Sequence, residues 1–330
     1  MPDILILNAE EVRQALPMRE AITGTKEAYR QLSVGKAKVP LRSHLDVLAH
    51  AGVSLVMPAY LAESDDLAVK IVSVYPENLK QGQPVINAVV IVLDATNGRP
   101  VALLEGGALT AIRTGAASGA ATDLLARMDA EVVAIFGSGV QARTQLEAVC
   151  TVRSISSVRV YSLDRDQAEE FAESMAGHGP IPDFIEVVDS PAEALAGAEI
   201  ICTATTSNKP VFDGQDLEPG AHINAIGAFT PQMQEVDVQT IRRSLVFVDF
   251  REAVMEEAGD LLIPLAKGEI DESHIYAELG EIVDGQKPGR TNSAQITYFK
   301  SVGVAVQDAI AGHIALQNAR TGNLGLMVSL

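Results

Sequence analysis

In the first third of the chain, the pattern of hydrophobic and polar residues is mostly that of β-strands. Short apolar runs with alternating character predict strands at 53–57, 68–74, 87–93 and 101–104. Asn97-Gly98 predicts a hairpin turn before the last of these strands. Asn8, followed three residues later by Glu11, predicts the N-terminus of a helical stretch that is interrupted near Pro17. A second helix, dense in small residues, is predicted at 109–121.

After Met128 the pattern changes to strands that alternate with helices. Strands are predicted at 132–136, 158–161, 184–188, 200–203, 223–226 and 246–249, with helices such as 141–150 and 167–175 between them. Six alternating strands predict an α/β fold with a doubly wound, mostly parallel sheet of the Rossmann type. The tail, residues 302–320, is predicted to be one more amphipathic helix.

Composition narrows the class of protein. The chain has 330 residues, enough for two domains of about 100–200 residues each. Its net charge of −18 would repel a nucleic-acid backbone. No basic leader and no apolar stretch of about 18 residues is present, so neither secretion nor a membrane is predicted. The two cysteines lack metal-type spacing. We therefore expect a cytoplasmic protein that has no metal.

The strongest single motif is the segment that follows the strand at 132–136. It reads Gly137-Ser-Gly139-Val-Gln-Ala142 and is followed by a predicted helix. Gly137 permits a tight turn, Gly139 lets the backbone approach a pyrophosphate, and Ala142 keeps the helix close to the sheet. The N-terminus of the helix supplies N–H donors and positive dipole. The motif therefore predicts a dinucleotide site.

The end of the next strand bears on the choice between NAD and NADP. An acid there would accept from the ribose 2′-hydroxyl of NAD, but the expected position is near Ser162, with Asp164 and Arg165 following. A serine and an arginine can bind a 2′-phosphate, whereas Asp164 could serve a hydroxyl if the loop turns inward. A solvated turn is the alternative for both Asp164 and Arg165. The sequence favours NADP over NAD.

Several phrases together resemble the ornithine cyclodeaminase and mu-crystallin family. They are Val56-Met57-Pro58-Ala-Tyr60, Val69-Lys70-Ile-Val, Leu109-Thr-Ala-Ile-Arg113-Thr114-Gly, the glycine loop, His222-Ile-Asn-Ala-Ile-Gly227, and the run from Phe299 to Asp308. The resemblance implies a Rossmann domain at 122–302 and a smaller α+β substrate and dimerisation domain at 1–121 and 303–330. A homodimer is expected.

The resemblance also implies that Arg42, Lys70 and Arg113 line the substrate site. A forked guanidinium suits a substrate carboxylate, and Arg113 is predicted near the start of a helix, where the dipole favours anions. Lys70 lies in an apolar strand, where a buried ammonium needs a partner. The alternatives are a lysine on an edge strand that reaches solvent and, for Arg42, a surface arginine.

These inferences define two sets of predicted site residues. The catalytic pair is Lys70 and Arg113, and the substrate contacts are Arg42, Met57, Lys70, Arg113, Phe229, Thr230 and Ser301. The predicted cofactor contacts are Thr114, Gly137, Ser138, Gly139, Val140, Gln141, Ser162, Arg165, Thr203, Thr205, Ile226 and Gly227.

Two departures from the family pattern indicate the substrate. Leu55 stands where ornithine cyclodeaminases carry a glutamate for the distal amine, and Phe229 stands where they carry an aspartate that handles the nitrogen. Neither apolar side chain can pair with an ammonium group. The sequence therefore favours an NAD(P)H-dependent reductase of a cyclic ketimine carboxylate, such as 1-pyrroline-2-carboxylate.

Other functions remain open at this point. Alanine dehydrogenase is the nearest enzyme alternative, followed by ornithine cyclodeaminase, and a non-catalytic binding protein of the mu-crystallin type is the alternative of another class. A hydroxy-acid dehydrogenase would need a catalytic histidine beside a carboxylate. His222 begins a predicted strand and is interpreted as structural.

Overall fold

The structure is a computed structural model that describes residues 3–329. It divides into two compact units, Met1–Arg113 with Val304–Leu330 and Thr114–Gly303. The sequence placed the change of domain after residue 121, and residues 1, 2 and 330 of its first domain lie outside the described residues. Each unit contains one eight-stranded sheet.

The strands are β1 (Asp3–Leu7), β2 (Ala37–Lys38), β3 (Ser43–Val47), β4 (Gly52–Leu61), β5 (Asp66–Val74), β6 (Ile86–Asp94), β7 (Pro100–Glu105), β8 (Val132–Phe136), β9 (Ser157–Tyr161), β10 (Glu186–Val187), β11 (Ile200–Thr203), β12 (His222–Ala225), β13 (Ser244–Val248), β14 (Ile275–Glu278), β15 (Ile296–Lys300) and β16 (Leu326–Ser329). The helices are α1 (Ala9–Ala15), α2 (Met18–Ser33), α3 (Gly106–Leu125), α4 (Val140–Val152), α5 (Arg165–Met175), α6 (Pro191–Leu195), α7 (Val238–Arg243), α8 (Arg251–Glu257), α9 (Gly259–Ala266), α10 (Leu279–Val283) and α11 (Ala305–Gly322). No helix within residues 3–329 is long and apolar enough to cross a membrane.

Residues near the N-terminus define where α1 begins and where it ends. Asn8 caps α1 by accepting from the backbone N–H groups of Glu10 and Glu11, and the Glu11 carboxylate accepts from the Asn8 N–H in return. This reciprocal pair satisfies donors that the first helical turn would otherwise leave unpaired. Pro17 then separates α1 from α2. The predicted helix start and its interruption are both confirmed.

The sheet of the first unit runs in the order β16-β1-β7-β6-β5-β4-β2, with β3 also paired to β4. Alternate residues of β5 point to opposite faces, so Ala68, Lys70 and Val72 are buried together while Ile71 is exposed. Helix α11 packs on the buried face through contacts with β4, β5 and β6. The predicted tail helix is confirmed as α11, but the expectation that it is amphipathic is wrong, because residues 305–312 are buried at every position.

The sheet of the second unit runs in the order β10-β9-β8-β11-β12-β15-β13-β14, and every pair in it is parallel. β9 and β10 extend the sheet on one side of β8, and β11 to β15 extend it on the other side. The strand order therefore reverses between β8 and β11. Such a switch point is where doubly wound folds bind nucleotides, outside the carboxyl ends of the strands.

The predicted fold class is confirmed, and its strand count is wrong. The six predicted strands correspond to β8, β9, β10, β11, β12 and β13, but β14 and β15 also belong to the sheet. The β15 sequence Ile-Thr-Tyr-Phe-Lys is fully internal, since it pairs with β12 on one side and β13 on the other. Two apolar clusters, one on each face of this sheet, form the core of the unit.

Candidate active site

Lys70 lies in the centre of the first sheet rather than at its edge. Its strand, β5, pairs with β4 and β6, and the cross-strand neighbours of Lys70 are Met57 and Val90. The Lys70 side chain is 2% exposed. The alternative of an edge-strand lysine that reaches solvent is therefore wrong. A buried ammonium of this kind requires a partner because desolvation of an unpaired charge is costly.

That partner is Asp308, which sequence reasoning did not single out. Asp308 lies in the first turn of α11 and is 1% exposed. Its Oδ2 lies 2.7 Å from Lys70 Nζ, and its Oδ1 accepts a hydrogen bond of 3.1 Å from Arg113 Nε. One carboxylate thus pairs with two cations. In the sequence, Asp308 is only the last residue of the run from Phe299 that resembles the family.

Arg113 is fixed further by Gln307. Arg113 Nη1 donates to Gln307 Oε1 at 3.1 Å, and Gln307 Nε2 donates to the Arg113 carbonyl at 3.0 Å. Helix α3 begins at Gly106, so Arg113 lies two turns into it and not near its start. The dipole contribution expected at Arg113 is therefore absent, because it acts within the first turn. The guanidinium itself supplies the positive charge.

The electrostatics of this cluster are dominated by excess positive charge. Burial is the main cause that lowers the pKa of Lys70 to about 8; Arg113 and Arg42 lower it further, and Asp308 opposes them. Arg42 is half-buried in the segment before β3. Lys70 and Arg113 therefore share a single carboxylate, and Arg42 lies near enough to act on Lys70. Such a cluster is suited to an additional anion, and its guanidinium groups match a carboxylate in shape.

The other predicted substrate contacts are distributed over both units. Met57 is 4% exposed and shares the sheet face of Lys70. Phe229 and Thr230 follow β12 in the second unit, and the Phe229 side chain is 44% exposed. Ser301 is 2% exposed, and its Oγ donates to Asp249 Oδ2 at 2.7 Å. The Ser301 hydroxyl hydrogen is therefore committed within the protein.

The glycine loop has the geometry that a dinucleotide requires. Gly137 has φ +101°, which favours glycine, and a Cβ at this position would lie 2.7 Å from the Ala204 carbonyl oxygen. A Cβ on Gly139 would meet nothing within 4 Å. The backbone at Gly139 is therefore open to a ligand, directly before the first turn of α4. Ala142 is fully buried, as a close contact between helix and sheet requires.

The remaining predicted cofactor contacts flank this loop. Val140 and Gln141 begin α4, while Thr114, Ser138 and Ile226 are buried. Ser162 follows β9, and its Oγ accepts a hydrogen bond of 3.3 Å from Ser138 Oγ. The structure thus brings the end of β9 against the glycine loop. Arg165 is the first residue of α5 and is about half exposed.

A buried carboxylate that sequence reasoning missed holds three of the predicted cofactor residues. Glu235 accepts from the Oγ1 of Thr203 at 2.8 Å, from the N–H and Oγ1 of Thr205 at 2.6 and 2.8 Å, and from the Gly227 N–H at 2.6 Å. It therefore joins the carboxyl ends of β11 and β12. Burial and the neighbouring Asp260 raise the pKa of Glu235, whereas its donors favour the carboxylate.

Asp260 completes this network. Its Oδ1 accepts from the N–H groups of Glu235 and Val236 at 2.7 and 3.1 Å, and its Oδ2 lies 2.9 Å from Lys300 Nζ. The Tyr298 hydroxyl also donates to Oδ2 at 3.3 Å. All four acceptor positions of the two acids face donors of the protein. We interpret this network as a support for the loops and not as a reacting group.

His222 and the two cysteines of the second unit are buried and are not candidates for catalysis. His222 is fully buried between Thr297 and Asn224, which contact its two ring nitrogens, and burial lowers its pKa to about 3. Burial raises the pKa of the Cys150 and Cys202 thiols to about 12. Within residues 3–329 no group of three or more His, Cys, Asp or Glu residues could hold a metal ion.

Known proteins resemble this chain over its whole length. The family model for the ornithine cyclodeaminase/mu-crystallin family matches residues 3–323. A Delta(1)-pyrroline-2-carboxylate reductase of Bacillus cereus is 39% identical over 323 residues, which cover 98% of each chain.

Solved structures agree with this match. The Delta(1)-pyrroline-2-carboxylate reductase of Thermococcus litoralis in complex with NADH and L-proline is 45% identical, with a TM-score of 0.94 and coverage of 98% of this chain and 100% of the other. An archaeal alanine dehydrogenase dimer with bound NAD is 34% identical, with a TM-score of 0.91 and coverage of 99% of both chains. The predicted family is confirmed: this chain belongs to the ornithine cyclodeaminase/mu-crystallin family.

Proposed function

We propose that this chain is an NAD(P)H-dependent reductase that converts a cyclic ketimine carboxylate, such as 1-pyrroline-2-carboxylate, into the cyclic L-amino acid. The observation that carries the proposal is the buried cluster in which Lys70 and Arg113 share Asp308. The similarity to reductases of Bacillus cereus and Thermococcus litoralis supports the same reaction.

The substrate carboxylate binds to the arginines of this cluster. Asp308 neutralises part of the positive charge of Lys70 and Arg113, but Arg42 adds to it. Arg113 spends Nε on Asp308 and Nη1 on Gln307, so its Nη2 group retains donors for a ligand. A carboxylate that enters this cluster exchanges water for charge-assisted hydrogen bonds, which are stronger than neutral ones.

Lys70 supplies the proton that the imine nitrogen gains. With a pKa lowered to about 8, Lys70 is an ammonium at neutral pH and yet gives up its proton far more readily than an ordinary lysine. Asp308, 2.7 Å away, fixes the position of Nζ on the sheet face. Lys70 thereby stabilises the negative charge of the substrate first and serves as general acid during reduction.

The dinucleotide binds to the glycine loop of the second unit. Gly139 exposes open backbone before α4, and the N–H groups of the first turn of α4 would hold its pyrophosphate. The bound cofactor supplies hydride, and the protein supplies binding and orientation. Glu235 fixes Thr203, Thr205 and Gly227 beside this loop.

Leu55 limits the substrates that the site accepts. It lies on β4 two residues before Met57 and therefore on the same sheet face as Met57 and Lys70, with Val72 opposite. A distal ammonium group against Leu55 would be desolvated without a partner, at a cost of several kcal/mol. An apolar ring instead gains about 25 cal/mol for each Å² of apolar surface that it buries.

Turnover of a substrate panel tests the proposal. Oxidation of NADH and of NADPH is followed with pyrroline-2-carboxylate, piperideine-2-carboxylate, and pyruvate plus ammonia, and chromatography detects proline formed from ornithine with NAD. We expect ketimine reduction to be the fastest reaction and cyclisation of ornithine to be absent. Leu55→Glu should not create cyclisation, since Phe229 still leaves the α-amine unassisted. Faster reaction of pyruvate with ammonia would favour an alanine dehydrogenase, and proline formation at a comparable rate a cyclodeaminase. Cofactor binding without turnover would favour a binding protein.

We also propose a homodimer that forms through the open face of the first sheet. Val56, Ile71 and Val89 are cross-strand neighbours on this face and are 39%, 38% and 36% exposed. A contiguous apolar patch on a sheet face is typical of an interface. The archaeal alanine dehydrogenase, which is similar over the whole chain, was solved as a dimer.

Light scattering tests this assembly. The wild-type protein should have a mass of twice 34.9 kDa, and Ile71→Lys should have the mass of the monomer. A monomeric wild type would contradict this assembly.

A further inference from the structure

The loop after β9 lies where the adenosine ribose of a dinucleotide would meet the second unit. β9 is the parallel neighbour of β8, and Ser162 contacts Ser138 of the glycine loop through the two hydroxyl groups. In doubly wound folds this position distinguishes a 2′-hydroxyl from a 2′-phosphate. The charges that surround Ser162 therefore decide which cofactor the loop accepts.

The Asp164 carboxylate is committed to the helix that follows it. As the N-cap of α5, Asp164 accepts from the Gln167 N–H through Oδ1 at 3.1 Å and from Gln167 Nε2 through Oδ2 at 2.8 Å. Both oxygens are therefore held at the helix end. The cap thus fixes this carboxylate two residues from Ser162.

Arg165, the cation that would bind a 2′-phosphate, already has two acidic partners. Its Nε donates to Glu169 Oε1 at 2.8 Å, and its Nη1 donates to Asp189 Oδ1. Asp166 lies in the same helical turn and adds a fourth carboxylate to those of Asp164, Glu169 and Asp189. Four acids therefore surround the single guanidinium: three belong to its own loop and helix, and Asp189 follows β10.

We infer that this loop makes the enzyme select NADH over NADPH by electrostatic exclusion of the 2′-phosphate. The inference rests on the proposed dinucleotide site and reverses the preference that the adjacent Ser162 and Arg165 suggest in the sequence. A 2′-phosphate adds nearly two negative charges. A 2′-phosphate bound to the remaining Nη2 group of Arg165 would lie beside the carboxylates of Glu169 and Asp189, whereas the 2′-hydroxyl of NADH carries no charge for them to repel.

Fluorescence titration of the wild-type protein with each cofactor tests this inference. We expect NADH to bind about tenfold more tightly than NADPH at low salt. Raising the salt concentration from about 0.01 M to about 1 M shortens the Debye length from about 30 Å to about 3 Å and should narrow the gap. Tighter binding of NADPH, or a preference that does not respond to salt, would overturn electrostatic exclusion.

Charge variants locate the effect. The double variant Glu169→Gln/Asp189→Asn releases Arg165 and should improve NADPH binding several-fold, with NADH binding little changed. Glu173→Gln/Asp183→Asn removes the same charge from exposed sites of the same unit that have no contact with Arg165, and should leave the ratio of the two affinities unchanged. Equal effects of the two double variants would contradict a role for the Arg165 ion pairs.

The measurement separates this inference from the proposed reaction. Cofactor titration needs no substrate, so a protein that binds NADH selectively and reduces no ketimine would refute the proposed reaction and leave the selection intact. Ketimine reduction with NADPH at an efficiency equal to or above that with NADH would refute the selection and leave the reaction intact.

Discussion

Each unit of this protein buries a lysine–aspartate pair, and these two pairs have opposite surroundings. Lys70 and Asp308 in the first unit are 2% and 1% exposed, with 2.7 Å between Nζ and Oδ2. Lys300 and Asp260 in the second unit are both fully buried, with 2.9 Å between the same two atom types. Residue types, distance and burial are therefore nearly equal.

The neighbours of the two pairs differ in sign. Arg113 and Arg42 lie close enough to Lys70 to lower its pKa, and Asp308 is shared by two cations, Lys70 and Arg113. Glu235 lies beside Asp260, but backbone N–H groups, two threonines and Tyr298 satisfy both acids. The second network is closed, whereas the first has charge left over for a ligand. A buried ion pair thus indicates function only when its surroundings leave it unbalanced.

Loss of the Lys300–Asp260 pair, whose network is closed, should have the largest effect. Lys300→Met leaves Asp260 buried beside Glu235 without a cation, and we expect a loss of about 3–5 kcal/mol in the free energy of unfolding. Lys70→Met should cost less, because Arg113 still pairs with Asp308. Urea denaturation measures both variants. A greater loss of stability from Lys70→Met would reverse the distinction between the closed and the open pair.

A smaller effect is expected when the shape of the open cluster is changed while its charge is kept. Arg113→Lys should lower kcat/KM for ketimine reduction, since a point ammonium cannot replace the forked guanidinium. The expected loss of transition-state stabilisation is about 2–4 kcal/mol. The Kd for the cofactor should stay the same. Arg13→Lys, an exposed substitution on α1, is the matched control. An unchanged kcat/KM in Arg113→Lys would remove Arg113 from the substrate site.

The smallest effect concerns the pH dependence of the open pair. The proposed role of Lys70 as proton donor predicts that kcat falls about tenfold for each pH unit above the lowered pKa of about 8. Because Asp308 raises the pKa of Lys70, Asp308→Asn should move the break in the profile to lower pH. Rate profiles at saturating substrate measure this shift. A break that persists in Lys70→Met would belong to the substrate or to another group.

Local features of the fold were readable from the sequence. The strand, glycine loop and helix around Gly137 follow from an apolar run, two glycines and a helix N-terminus within a dozen residues. The capping pair of Asn8 and Glu11 is equally local. Strand β15 was missed because its neighbours β12 and β13 are distant in the chain, and its last residue, Lys300, is charged and yet fully buried.

The ion pairs of the site were not readable from one sequence. Arg113 and Asp308 are separated by 195 positions, and no local pattern connects them. Glu235 and Asp260 resemble ordinary surface acids in the sequence, since their donors come from β11, from β15 and from the segment after β12. Lys70 stood out because a charge in an apolar strand is unusual. Its counterion could be identified only once α11 was placed on the sheet.

The pairing of β1 with β16 imposes an order on the folding of the two units during synthesis. β1 lies between β7 and β16, and α11 covers the face of the sheet that carries Lys70. The second unit is continuous in the chain and can begin to fold while the ribosome is still translating the tail, because domains fold as units during synthesis. The first unit must wait for residues 304–329. Until Asp308 has been translated, Lys70 and Arg113 lack their counterion, and the sheet face that α11 covers stays exposed.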